Sequence, residues 1–178
     1  MANSLVASYE VNRASDWEWF ENILAYDNPR LSQALLAAYE SLGEKRYLAV
    51  AEKTMRFLKN NTTIDETYVP IGSGGWYRRG GDRALYDQQP IEAGAMVEAS
   101  SLAYKLTRSE LYEVAVRQAL GWFFGLNVKS VAVYDESTGA CYDGITHKGL
   151  NENQGAESTL AFLLAAVTFI KLFQKSER

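Results

Sequence analysis

Apolar residues recur every three to four positions along most of the chain, a spacing typical of amphipathic helices. The first clear stretch begins at Pro29, which suits the first turn of a helix, and stops at Gly43, which suits a helix end. Its apolar positions are Leu31, Leu35, Ala38, Tyr39 and Leu42. A second stretch of this kind covers residues 45–59. The two predict a helical hairpin.

Three more helices are expected beyond this hairpin, at 90–106, 109–126 and 154–173, where Pro90 opens the first and Ser109 can cap the second. Near the N-terminus, "SDWE" at 15–18 has the form of a capping box and predicts a short helix to about Leu24. The segments between the helices are long and polar, with no long alternating strand and only a short hairpin expected around Thr138-Gly139. The pattern therefore predicts an all-α single domain over residues 1–178.

A weak internal repeat relates the hairpins. A shift of 65 residues places Tyr39 on Tyr104, and the same spacing separates Asp27, Glu92 and Glu157. Each acid comes near the start of the first helix of a hairpin. The helix dipole alone would favour a carboxylate there. If the hairpins close into a ring, the same acids and the loops before them collect over its central cavity.

Composition narrows the classes of partner. A formal net charge of −4 gives no reason to expect nucleic acid. Cys141 is the only cysteine, so no disulfide can form within the chain, and the thiol is expected to be inert. The N-terminus has no apolar signal region, and the run at 160–167 is shorter than a membrane span. These features predict a cytoplasmic protein with no membrane span.

Candidate chemistry is concentrated in the polar loops and at the helix starts that follow them. Glycoside hydrolysis needs two carboxyl groups, and the catalytic candidates are Asp87, Glu92, Asp143 and Glu157. The substrate-binding candidates offer stacking faces, amides or a cation, and are Trp76, Tyr77, Arg78, Tyr86, Gln88, Gln89, Tyr142, Asn151, Asn153 and Gln154. Alternatively, the amides cap helices and tie down loops. With His147 as the only histidine, neither a metal site nor a cofactor is expected.

Five segments carry a resemblance to known proteins: "WEWFENILAYDNPRLSQALL", "PIGSGGWYRRGG", "YDQQPIEAGAMVEA", "CYDGI" and "NENQGAEST". With the hairpin layout, they resemble the (α/α) toroid of the six-hairpin glycosidase superfamily. More narrowly, they resemble an uncharacterised bacterial family associated with sugar-nucleotide glycosyltransferases. The resemblance implies a partial ring of about three of six hairpins, which is either the C-terminal part of a larger protein or a half ring that pairs with itself.

Three hypotheses about function follow. The first is a carbohydrate-active protein resembling glycoside hydrolases, or sugar epimerases and lyases, with paired carboxylates at the helix starts. The second is a non-catalytic carbohydrate-binding or scaffolding module that accompanies a glycosyltransferase. The third is a structural domain without a ligand. Because the last helix is apolar nearly all round, it is also expected to contact a second copy or a domain outside this sequence.

Overall fold

The computed structural model describes residues 1–174 of the chain. Its helices are α1 (Ala2–Asn12), α2 (Pro29–Leu42), α3 (Lys45–Asn61), α4 (Pro90–Thr107), α5 (Glu110–Phe123) and α6 (Ala156–Gln174). Its strands are β1 (Ile23–Leu24), β2 (Thr63–Ile64), β3 (Thr67–Tyr68), β4 (Tyr77–Arg78), β5 (Gly144–Thr146) and β6 (Gly149–Asn151).

The expectation of an all-α chain, and with it of a partial (α/α) toroid as the fold class, is wrong. Helices make up 53% and extended backbone 13% of the structure, which is a mixed fold. The strands pair as three antiparallel two-stranded sheets, β1 with β4, β2 with β3, and β5 with β6. Strands of two or three residues are too short to show an alternating pattern, so they could not be predicted from the sequence. They form because the backbone of the long polar segments needs hydrogen-bond partners.

The last sheet lies close to the hairpin expected from sequence but is displaced along the chain. Its turn consists of His147 and Lys148, between β5 and β6. Around Thr138-Gly139 there is a turn closed by a single bridge between Tyr134 and Cys141. The glycine there does take the left-handed conformation that the turn requires, with φ +74°.

Helix α4 is the centre of the core. It packs against α2, α5 and α6, while α3 packs against α2. The core predicted from sequence is largely confirmed, since Leu35, Val50, Ala99, Ala103, Ala119 and Phe162 are buried. The other predicted core residues are only half-buried, and are Ala38, Tyr39, Leu120 and Ala166.

The N-terminal region differs from the prediction. The helix there is α1, while residues 15–24 form turns and the short strand β1. Glu18 does not cap a helix; its carboxylate accepts a hydrogen bond from the Tyr9 hydroxyl. Trp17 and Trp19 are both fully buried, with Glu18 between them pointing elsewhere. Burial of these large rings overrides the local helix signal.

The outer side of α6 remains exposed. By length and composition α6 is the one helix within residues 1–174 that could cross a membrane. Only 17% of its most apolar stretch is buried in the structure. A single helix of this kind is weak evidence for a membrane span, and the structure is compatible with a soluble protein.

Candidate functional site

A polar cavity of about 240 Å³ lies where the two long loops meet, beside the starts of α4 and α6. It is lined by five of the candidate site residues, Asp87, Gln88, Gln89, Asp143 and Asn151, together with Ser73, Gly144, Ile145 and Thr146. The structure therefore brings together carboxylates and amides that are up to 64 residues apart in the sequence. We call this space the rim cavity.

The base of the rim cavity is a backbone bridge between the two loops. Gln88 and Ile145 exchange both of their backbone hydrogen bonds, each 2.9 Å long. Gly144, next to this bridge, has φ +133°, and a Cβ atom there would lie 1.9 Å from the Gln88 carbonyl oxygen. Only glycine permits this crossing. Ile145 and Gly144 were not recognised from sequence, because no local pattern indicates which residues of one loop pair with the other loop.

Asp87 presents its carboxylate from an exposed position on this rim. It is one of the few non-glycine residues with a left-handed backbone, at φ +60°. Its carbonyl oxygen accepts hydrogen bonds from the backbone nitrogen of Ser73 at 3.0 Å and from the Ser73 hydroxyl at 3.1 Å. The carbonyl contacts fix the loop and leave the side chain available to a ligand.

Asp143 holds the preceding loop at the start of α6. Its carboxylate accepts hydrogen bonds from the Ser158 hydroxyl at 2.6 Å, from the Gly155 backbone nitrogen at 2.8 Å and from the Asn153 amide. Partial burial acts to raise the pKa of Asp143, but the hydrogen bonds outweigh it, so the pKa lies below its usual value. Asp143 is therefore ionised at neutral pH and anchors the preceding loop to α6.

The candidate amides divide into structural and available groups. Gln88 is 1% exposed, accepts a 2.8 Å hydrogen bond from Trp122 Nε1 and donates one to the Leu85 carbonyl. Asn153 donates to Asp143, and Gln154 donates to Asp135 at 2.9 Å. Gln89 is half-buried, lines the rim cavity, and makes no side-chain hydrogen bond within residues 1–174. Gln89 is thus the amide best placed for a ligand.

None of the aromatic candidates lines the rim cavity. Tyr77 packs edge-on against Trp17, with ring centroids 5.3 Å apart, and Trp76 packs against the core. Lys129 lies over the ring of Tyr86, and Tyr142 contacts Asp135 through a 3.4 Å hydrogen bond. The remaining candidate, Arg78, is exposed on β4, where it pairs with Ile23.

The other two candidate carboxylates, Glu92 and Glu157, belong to a second group of side chains. Glu92 is 3% exposed and accepts hydrogen bonds from the backbone nitrogen of Asp27 and from Asn28. Burial raises the pKa of Glu92 to about 8, although these hydrogen bonds lower it in part. Glu157 is exposed and accepts a 3.1 Å hydrogen bond from the Tyr26 hydroxyl.

The 65-residue spacing thus does gather Asp27, Glu92 and Glu157 at one end of the helices, but not in equivalent positions. Asp27 precedes α2, whereas Glu92 and Glu157 lie inside the first turns of α4 and α6. The contributions of Tyr26 and Asn28 were missed. Asn28 directly precedes the helix-opening Pro29, a position where its side chain could have been expected to bind nearby backbone.

A larger cavity of about 630 Å³ lies between α2, α4 and α6, away from the candidate residues. Two of the charged groups that line it, Glu98 and Lys105, already have partners. Arg30 forms a bidentate pair with Glu98, at 2.9 Å for both contacts, and Lys105 pairs with Glu40 at 2.7 Å. The rim cavity is the candidate site because five of the residues singled out from sequence line it, whereas none of them lines the larger cavity.

Within the part of the chain that the structure describes, no three His, Cys, Asp or Glu side chains are placed to hold a metal ion. His147, in the exposed turn between β5 and β6, contacts Lys129 only through its backbone carbonyl. Cys141 is buried, and burial raises the pKa of its thiol to about 12, which makes it a poor nucleophile. No protein-family model matches the chain, and no curated protein matches it either.

Proposed function

We propose that this protein binds a single sugar residue, or a polyol of similar size, in the rim cavity without transforming it. The observation that carries the proposal is the lining, in which the Asp87 carboxylate and the Gln89 and Asn151 amides come together around one small space. Carboxylates and amides together offer the paired donors and acceptors that vicinal hydroxyl groups require.

Size supports a ligand of one ring. Sites for drug-sized molecules usually occupy about 300–1,000 Å³, and the rim cavity is smaller, at about 240 Å³. Because the cavity is open to solvent at Asp87, a longer glycan could extend outward past Tyr86. The ligand class is therefore a monosaccharide or the terminal unit of a glycan.

The pKa values of the carboxyl groups favour sugar binding over glycoside hydrolysis. A glycosidase needs one carboxyl group with a raised pKa as its general acid. The pKa of Asp143 is lowered, and all three of its hydrogen bonds hold the protein together. The pKa of Glu92 is raised, but this side chain is buried against Asp27 and Asn28 and does not line the cavity.

Binding of monosaccharides by isothermal titration calorimetry tests the proposal, with neutral hexoses, an N-acetylhexosamine, a hexuronic acid and inositol as probes. We expect at least one to bind. Gln89→Ala and Asp87→Asn should each weaken binding about tenfold, because a ligand group loses its partner. Asp82→Asn is the matched control, since it removes the same charge from an exposed position in the same loop. Failure of every probe, or variants that bind like the wild type, would refute the proposal.

A glycoside hydrolase, or a related sugar epimerase or lyase, is the second candidate, because Asp87 and Asp143 line the same cavity. It predicts turnover of nitrophenyl glycosides that Asp87→Asn abolishes while sugar binding persists. Under the first proposal, by contrast, no turnover occurs and Asp87→Asn weakens binding itself.

We infer that the protein works in the cytoplasm, as a module beside a glycosyltransferase. The inference rests on the free, buried Cys141, which suits a reducing compartment, and on the resemblance described above. Fractionation of cells that express a tagged chain would contradict it by placing the protein in an oxidising compartment.

A further inference from the structure

The outer face of α6 carries a continuous apolar strip that nothing in residues 1–174 covers. Its members are all between 45% and 57% exposed, and are Leu160, Leu163, Leu164, Val167 and Ile170. The opposite side of the same helix is packed into the protein through Ser158, Phe162 and Ala165. Large exposed apolar patches on a folded protein mark interaction sites.

The exposed positions of α6 follow a heptad pattern. Leu160 and Val167 are seven residues apart, as are Leu163 and Ile170, and the spacing between the two pairs alternates between three and four. This is the a and d spacing of a coiled-coil seam. The exposed residues that follow the d positions, in the e column, are Glu157, Leu164 and Lys171. An acid therefore begins this column, a leucine occupies its middle, and a base ends it.

We propose that α6 forms an antiparallel two-helix pair with α6 of a second copy of this chain. In that arrangement Leu160 packs against Ile170 of the second copy, and Leu163 packs against Val167. The two Leu164 side chains meet on the two-fold axis. Glu157 of each copy then lies beside Lys171 of the other, so that both charges are matched.

Charge complementarity selects this arrangement over a parallel one. In a parallel pair, e positions face g positions of the other helix. The g positions of α6 are Thr159, Ala166 and Phe173, which offer neither Glu157 nor Lys171 a partner. In the antiparallel pair, e positions face each other, and the column of Glu157, Leu164 and Lys171 is complementary to itself.

A lipid bilayer is a poorer occupant than a second copy. The inner side of α6 is held close to α4, and the Ser158 hydroxyl bonds Asp143 at the start of the helix. Spanning a membrane would require α6 to leave these contacts and to bury Glu157, which is now exposed and bonded to Tyr26. Only the outer strip of the helix is available, and its width fits one neighbouring helix.

Sedimentation velocity across a concentration series, on the full chain, tests the proposal. One helix per copy is a small contact compared with standard interfaces, which bury about 1,200–2,000 Å². We therefore expect a dimer that dissociates in the micromolar range. Leu164→Glu should weaken it at least tenfold, since it places two like charges on the two-fold axis. Leu164 is exposed, so the variant should keep the melting temperature of the monomer, which circular dichroism checks.

A charge exchange tests the antiparallel register. Glu157→Lys and Lys171→Glu should each weaken the dimer roughly tenfold, because each creates two like-charge contacts. The double variant should return to within about threefold of the wild type, since its pairs are merely reversed. Glu136→Lys with Lys148→Glu is the control, which makes the same two reversals at exposed loop positions and should leave the dimer unchanged.

Three results would overturn the proposal. One is a monomer at several hundred micromolar. Another is a dimer that Leu164→Glu leaves intact, which would place the contact on a different face. The third is failure of the double charge exchange to restore a dimer that both single reversals weaken. Flotation of the wild-type protein with phosphatidylcholine–phosphatidylglycerol vesicles, without dimerisation, would instead assign the strip to a membrane surface.

Discussion

The carboxyl group of Glu92 is a buried titratable group that makes the stability of the fold depend on pH. It is 3% exposed, and burial raises its pKa from 4.5 to about 8, against the opposing effect of hydrogen bonds from Asp27 and Asn28. The folded state therefore holds a proton that the unfolded state releases above pH 4.5. Between about pH 5 and pH 8 the folded state binds more protons than the unfolded state, so the free energy of unfolding falls as the pH rises.

Glu92→Gln should remove this dependence. A neutral amide of the same shape removes the titrating group from both states, whereas in the wild type the unfolded state releases the Glu92 proton, which lowers stability by up to about 1.4 kcal/mol per pH unit within the window. We expect the variant to gain stability relative to the wild type as the pH rises from 5 to 8, measured by urea unfolding at several pH values. A difference between the two proteins that stays constant with pH would contradict this assignment.

Single-residue roles were only partly accessible from sequence. The regular spacing identified Glu92 and Glu157 as notable acids, and the local chemistry of Asp87 as a loop acid matches its place on the rim cavity. The burial of Glu92 could not be predicted, because it depends on residues 25–28 folding over the start of α4. Likewise, the hydrogen bonds that commit Asp143 to α6 involve a glycine and a serine whose positions carry no recognisable motif.

At the scale of elements, the helix ends marked by proline or glycine were predictable, whereas the end of α5, which was expected at 126 and lies at Phe123, and the strands were not. Pro29 and Pro90 open helices and Gly43 ends one in the left-handed conformation, as their local chemistry predicts. Helix α1 escaped notice because it buries only Tyr9 and has little apolar periodicity. The short strands escaped because their pairing is decided by contacts between distant loops.

The contact between α4 and α6 depends on Gly94. A Cβ atom at this position would lie 2.8 Å from the carbonyl oxygen of Ala161, closer than such atoms normally approach. Gly94→Ala should therefore separate the helices at a cost of about 1–3 kcal/mol, reduced by the roughly 1 kcal/mol that alanine contributes to helix formation. We expect a net loss of up to about 2 kcal/mol in urea unfolding.

Gly75→Ala provides the comparison for Gly94. A Cβ atom there would meet the Ala84 side chain at 3.5 Å, an ordinary contact, so its effect should stay within about 0.5 kcal/mol. Equal effects of the two substitutions would show that α4 and α6 do not approach as closely as 2.8 Å implies.

At the scale of the whole molecule, Gln88 is a buried side chain that joins the long loops to the helical core. Gln88 pairs with Ile145 through its backbone and with Trp122 of α5 through its amide. From its place in a polar loop, Gln88 was expected at a binding site. Its burial follows from the meeting of three distant segments, which no local pattern encodes. The loops should consequently unfold together with the helices.

Two tryptophans offer a matched test of this connection. Trp122 and Trp19 are both fully buried, but Trp122 Nε1 donates to Gln88 at 2.8 Å, whereas Trp19 Nε1 has no partner within residues 1–174. Replacing either by phenylalanine removes similar volume. Only Trp122→Phe also leaves the side-chain oxygen of Gln88, Oε1, buried without this donor, at a cost of about 1–3 kcal/mol, while Trp19→Phe removes an unpaired polar group.

Trp122→Phe should therefore destabilise the protein by about 1–3 kcal/mol more than Trp19→Phe does in urea unfolding. If the loops and helices form one cooperative unit, near-ultraviolet and far-ultraviolet circular dichroism should report coincident transitions in both variants. A Trp122→Phe protein in which the near-ultraviolet signal is lost first, with the helices intact, would show that the loops are a separate unit. Equal destabilisation by the two substitutions would remove the Gln88 contact as the link, because the lost volume alone would then account for both.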